Sequence, residues 1–393
     1  MSASPSTSVE LEAWTDYTRR AQRLAERLWT PDFAVSPEQR SVGISHLARQ
    51  LMCWTGWSVA HADPRRPMFQ RQNDLITPWG GPNAENVYRH ARVEPGRRYR
   101  IRGKMNSCEE FMLTVRKGFM HEDQWGTVFQ TSATDLGIGE GDTFELLVGG
   151  TDEGAIPLPA GAAMVTFREY YFDWRPLEPA VFTIECLDDD AIAAVPLVDA
   201  STLARQLDRA IDGAEHSIEN WNRYMLDRRA EGVDNTFAPP HVVSKGLEDA
   251  RYGFCFWDLE PDQALVVEST VPDARYWSLQ LYQLAWFDLV DLVDRQTSLN
   301  HRQVAIDGDG KFRVVLSHAD PGVANWLDVG GRRDGLLTFR WFWQNGNPEI
   351  TTRVVPVRNV EKVLPDDTVR VTPDERIEQI RARRAHLAWR FRT

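Results

Sequence analysis

"TFRWFWQNGNP", Thr338 to Pro348, sets a charged arginine inside an aromatic run, and "TFREYYFDWRP", Thr166 to Pro176, has already done the same. Working outward from this pair, "ARVEPGRRYRIRG" (from Ala91) aligns with "WDLEPDQALVVES" (from Trp257) without a gap, placing Glu94-Pro95 on Glu260-Pro261. The same alignment carries Ile101 onto Val267, Phe111 onto Trp277, Leu113 onto Leu279 and Val115 onto Leu281, preserving the every-second-residue apolar pattern of half-buried strands. "IGEGDTFELLV" (from Ile138) then meets "IDGDGKFRVVL" (from Ile306). Segments that match in order, each flanked by Gly, Pro or Asp turns, read as a tandem duplication with short loop insertions.

The expected fold is therefore α+β and mainly β: two tandemly duplicated antiparallel β-sandwich or jelly-roll units with flanking and bridging helices. The expected boundaries are a helical N-terminal region at 1–80, a first unit at 81–190, a helical bridge at 191–248, a second unit at 249–360 and a C-terminal helix at 361–393. "VELEAWTDYTRRAQRLAERL", "STLARQLDRAIDGAEHSIENWNRYMLDRR" and "TPDERIEQIRARRAHLAWRF" carry helical apolar spacing with Ser or Thr in N-cap positions. The acids of "LDDDA", Asp188 to Asp190, suit the start of the bridging helix; the competing reading is a Mg²⁺ site. On a strand, Thr338, Arg340 and Phe342 share one face and Phe339, Trp341 and Trp343 the other. This gives Arg340, and Arg168 beside Tyr170, a supporting role through a carboxylate or an aromatic ring.

At 393 residues, 42% hydrophobic and 26% charged, the chain is long enough for two packed domains. A net charge of −12 argues against general nucleic-acid binding. The start, "MSASPSTSVELEAW", lacks a basic and then apolar leader, and no stretch has the ~18 uninterrupted apolar residues of a membrane span, which reads as cytoplasmic. The 4 cysteines, without C-x-x-C spacing, read as free thiols. No nucleophile elbow, HExxH, P-loop or Rossmann fingerprint is present, and His90, His121, His301 and His318 stand singly, so no cofactor, metal or catalytic residue is indicated.

"RYWSLQLY" (275–282), "DGDGKFRVVLS" and "NWLDVGGRRDGLLTFRWFW" resemble domain-of-unknown-function family 1214, and "GPNAENVYR" (81–89) resembles the Pro-Asn-Ala-Asp-Thr-Leu-Tyr motif of the companion family 1254, with Glu85 and Asn86 in place of Asp-Thr. The resemblance implies β-sandwich architecture and no agreed reaction. It puts Asn325, Trp326 and Arg340 in the signature, with Asn83 and Tyr88 from the second motif and Trp277 and Tyr282 within the first.

Features present in one copy only are the better site candidates on this reading. Arg98, Arg100, Arg102 and Lys104 alternate onto one strand face where the second copy has Ala264, Val266, Glu268 and Thr270; such a row binds an anion or guards an exposed edge. "ADPGVANWL" (319–327) offers Asn325 beside Trp326, either as a ligand platform or as a pinned loop with a plug. The expected function is binding, with enzymatic turnover left open, of a small organic metabolite with an anionic or polar head and an apolar body, in a cleft between the units. The ligand-binding candidates are Asn83, Tyr88, Arg98, Arg100, Arg102, Lys104, Trp277, Tyr282, Asn325 and Trp326. A non-catalytic scaffold or protein-interaction module is the alternative, and a homo-oligomer is compatible with either.

Overall fold

The structure is a computed structural model that describes residues 8–31, 33, 36–191 and 198–392. It is mainly β, with several antiparallel sheets and few helices. The first half contains β1 (Gln70–Arg71), β2 (Asn86–Arg92), β3 (Tyr99–Lys104), β4 (Glu110–Arg116), β5 (Thr127–Ser132), β6 (Thr143–Val148), β7 (Met164–Tyr170) and β8 (Val181–Cys186). The second contains β9 (Ala250–Asp258), β10 (Gln263–Thr270), β11 (Ala274–Tyr282), β12 (Ser298–Asn300), β13 (Lys311–Ser317), β14 (Trp326–Asp328), β15 (Asp334–Gln344) and β16 (Ile350–Pro356).

Strand order repeats between the halves. The first half forms β1-β2-β7-β4-β5 and β6-β3-β8; the second forms β12-β11-β15-β9 and β14-β13-β10-β16. In each half the TFR strand, β7 or β15, is flanked by the same two neighbours in chain sense. Arg168 lies opposite Tyr88 and Met112, and Arg340 opposite Tyr252 and Ser278.

Alternation along these strands divides the apolar residues between two layers. Phe167 and Val165 of β7 pack with Ile101 of β3 and Phe182 of β8 in one core, and Phe339 and Trp341 of β15 with Val267 and Phe312 in another. Each half thus closes its own pair of sheets. The opposite faces of the two TFR sheets meet each other through Met112, Tyr170, Tyr276 and Phe342. Trp343 departs from the expected alternation: its φ of +53° takes it out of the strand path and sets its ring against Tyr170, at 5.6 Å, on the same side as Phe342.

Among the described residues four α-helices flank this stack: α1 (Val9–Arg27), α2 (Pro37–Thr55), α3 (Ala200–Ala230) and α4 (Pro373–Phe391). Leu207, Ile211, Ala214, Ile218, Trp221 and Met225 form the buried stripe of α3, at helical spacing. With Trp54 of α2, Ala214, Trp221 and Met225 of this stripe pack with Met164 of one TFR sheet and Phe254, Phe256 and Leu336 of the other, covering one side of the gap between them. Thr372 and Glu375 form a capping box at the start of α4, whereas α3 is capped by Asp199. Asp188 and Asp190 do not start α3 as expected; they pair with Arg97, at 3.4 and 2.7 Å.

Candidate functional site

A cavity of about 130 Å³ lies in the gap between the two TFR sheets. The segment 79–90 builds one wall. Gly80 and Gly81, at φ +60° and +69°, carry the backbone past Trp221 and Phe287 so closely that a Cβ would fall 2.6 and 2.4 Å from those rings. The turn then delivers Asn83, Asn86, Tyr88 and His90 to the lining. Tyr252, Phe254, Arg340 and Phe342 come from the facing sheet, and Met120, Trp125, Val243 and Leu247 from two connecting loops.

The Asn83 turn is fixed from behind. Its Oδ1 accepts from the Tyr276 hydroxyl (2.9 Å), Gln280 Nε2 (2.7 Å) and the Glu85 main-chain N–H (3.2 Å). Glu85 Oε2 accepts from the same tyrosine and glutamine, and burial raises the pKa of this carboxyl group. The C-terminal helix joins through Arg390 Nη2, which donates to the Ala84 carbonyl at 2.7 Å. Several buried polar atoms of the lining have no hydrogen-bond partner among the described residues: Asn83 Nδ2, Asn86 Oδ1, His90 Nε2, Arg116 Nε and Arg340 Nε. Orphans of this kind are costly in a closed interior and are characteristic of a site made for a polar ligand.

Charge sharpens the picture. Arg116, Arg168 and Arg340 all line the cavity, no Asp or Glu does, and among the described residues none of the three has a carboxylate within 4.0 Å. Arg340 donates to the Tyr282 hydroxyl at 2.5 Å, and Arg168 reaches only Met112 Sδ, at 3.8 Å. Each lies over the tyrosine of its own sheet, Arg168 over Tyr88 and Arg340 over Tyr252, both at 5.7 Å. Burial, aided by Arg168, pushes Arg116 down to about 9. Burial, with Arg116 and Arg168, holds His90 well below the usual histidine range, so its ring is neutral at pH 7. His90 Nδ1 hydrogen-bonds Thr166 Oγ1 at 2.9 Å.

Of the sequence candidates, Asn83 and Tyr88 line the cavity, and Tyr282 sits behind it as the partner of Arg340. Trp277 lies in the second-half core, stacked on Phe312 at 4.9 Å. Asn325 pins its loop by exchanging hydrogen bonds with the Ala305 main chain, at 2.8 and 2.7 Å, and Trp326 donates from Nε1 to Ser317 Oγ at 3.0 Å. Arg98, Arg100, Arg102 and Lys104 lie on the far side of the first-half core. There β3 is the central strand of its sheet, not an edge, and its arginines interleave with acids: Arg100 and Arg102 each approach both Glu145 and Glu185, at 3.0–3.3 Å. Arg116, Arg168, Arg340, His90 and Tyr252 also line the cavity and were not among the ligand-binding candidates. For Arg168 and Arg340 the signal was the repeated TFR itself.

The stack defines a mainly β protein whose halves face each other across a basic, aromatic-walled cavity. Residues 258–345 match the model of the family described as "Protein of unknown function (DUF1214)". The solved structure of an uncharacterised protein from Burkholderia cenocepacia is similar at 25% identity and a TM-score of 0.81, covering 89% of this chain and 98% of that one. A protein from Vibrio parahaemolyticus is 12% identical, covering 86% of this chain and 99% of that one, with a TM-score of 0.44. No curated protein matches the chain. Among the described residues no helix is long and apolar enough to cross a membrane, and no group of three or more His, Cys, Asp or Glu side chains is placed to hold a metal ion.

Proposed function

We propose that this protein binds a small organic anion with an apolar body in the cavity between its two β units. The observation that carries the reading is the set of three buried or half-buried guanidinium groups, Arg116, Arg168 and Arg340, around one aromatic-walled space without a carboxylate. Buried positive charge without a counterion is costly, and a ligand carboxylate supplies the missing partner with the planar geometry that a guanidinium prefers. The rings of Trp79, Phe254 and Phe342 supply the apolar contact. For turnover of such a ligand the cavity offers His90, whose neutral ring can exchange a proton at Nε2.

The repeated strand order and the matched Arg–Tyr pairs support a tandem duplication as the origin of the two units. The likeness of "GPNAENVYR" to family 1254 fits the same picture, because that segment forms a cavity wall.

Benzoate is the first probe. It raises the melting temperature by ligand linkage to the folded state. The rise is lost in a variant carrying both Arg168→Gln and Arg340→Gln and kept in a variant carrying both Arg100→Gln and Arg102→Gln. A parent protein indifferent to benzoate and to other small organic acids overturns the proposal.

A further inference from the structure

The two TFR arginines are more than two charges in one cavity. Each sits on a strand flanked on both sides, β7 between β2 and β4 and β15 between β9 and β11, at the same place in the repeated strand order, and each lies over its own sheet's tyrosine at 5.7 Å. The sheets that carry them meet through rings, Tyr170 against Tyr276 at 5.3 Å and against Trp343 at 5.6 Å. The cavity therefore presents two matched anion anchors on opposing walls, with Arg116 as a further positive charge on the wall that holds Arg168.

One carboxylate satisfies one guanidinium fork and leaves the opposite one without a counterion. We propose that the ligand is a dicarboxylate: one carboxylate held by Arg168, the other by Arg340, and a short apolar or aromatic spacer against the rings between. This rests on the reading that the cavity binds an organic anion, and it narrows that reading to a charge count and a shape. Facing sheets pack about 10 Å apart. A single-ring diacid spans that gap once each end has a guanidinium to meet it. A lone phosphate would have to draw both forks to one point, away from the tyrosines over which they lie.

Calorimetric titration of the full chain with benzoate, isophthalate and phenyl phosphate tests this. Isophthalate is expected to bind about tenfold or more tighter than benzoate, the gain of a second charge-assisted fork. Arg168→Gln and Arg340→Gln should each reduce isophthalate to the affinity of benzoate, since either variant keeps one anchor. Equal binding of benzoate and isophthalate by the parent overturns the two-headed ligand and leaves the anion site standing. Phenyl phosphate binding more tightly than isophthalate also overturns it, by showing that both arginines serve one group. If none of the three binds, the anion reading falls as well. The parent titrations decide these outcomes even if a variant folds poorly.

Discussion

His121 carries two ring nitrogens without a hydrogen-bond partner among the described residues, packed between Trp54, at 4.7 Å, and Phe119, with which it stacks at 5.8 Å. Burial, with help from His216 and Arg116, pushes its pKa down to about 3. The unfolded chain takes up the same proton near pH 6.5. Between those values the unfolded state binds more protons than the folded one, so the contribution of His121 to stability falls as pH drops, by about 2 kcal/mol at pH 5. His121→Phe keeps the stacking and removes the titration. Its melting temperature should exceed the parent's by clearly more at pH 5 than at pH 7.5, and an equal gain at both would exclude the histidine as the source. Nothing in the spacing of nine histidines marked this one, because its character comes from rings brought in by α2 and a distant loop.

At the scale of elements, parity along the strands was legible: β7 and β15 put Phe167, Phe339 and Trp341 into the cores as alternation requires. What the sequence did not show is which pair of faces would meet. A residue alike in both copies was read as serving the fold, and one found in a single copy as the better site candidate. In the structure the two TFR sheets face one another, so residues they have in common line one space from either side. Arg168 and Arg340 are the case in point. The single-copy row of β3 is instead neutralised by Glu145 and Glu185, acids supplied by its neighbouring strands. Asn83 lines the cavity, but its setting depends on the turn before it. Gly81→Ala should destabilise the protein by about 1–3 kcal/mol more than Gly137→Ala, because both have φ +69° but only Gly81 would press a Cβ into Phe287. Urea unfolding of the two variants makes the comparison; equal losses would mean that Phe287 yields and the wall is soft.

Across the whole molecule the layers run from the β3 sheet through the two TFR sheets to the β10 sheet, with α2 and α3 closing one side of the central gap. The mainly β character and the outer helices could be read from periodicity. A cleft between the units was expected, but the residues that line it could not be read, because its walls are set by contacts between segments remote in sequence, such as Arg390 with Ala84 or Tyr276 with Glu85. The molecule is also inside out in charge: −12 overall, yet lined at its centre by arginines alone among its charged side chains. An anion diffusing towards that centre meets a repulsive outer field before it feels the attractive inner one, and dissolved ions screen the outer field first. Added salt should therefore quicken the encounter of a diacid with the protein while shortening the lifetime of the complex, two opposite changes that stopped-flow mixing at low and moderate ionic strength would resolve as a rising on-rate beside a rising off-rate.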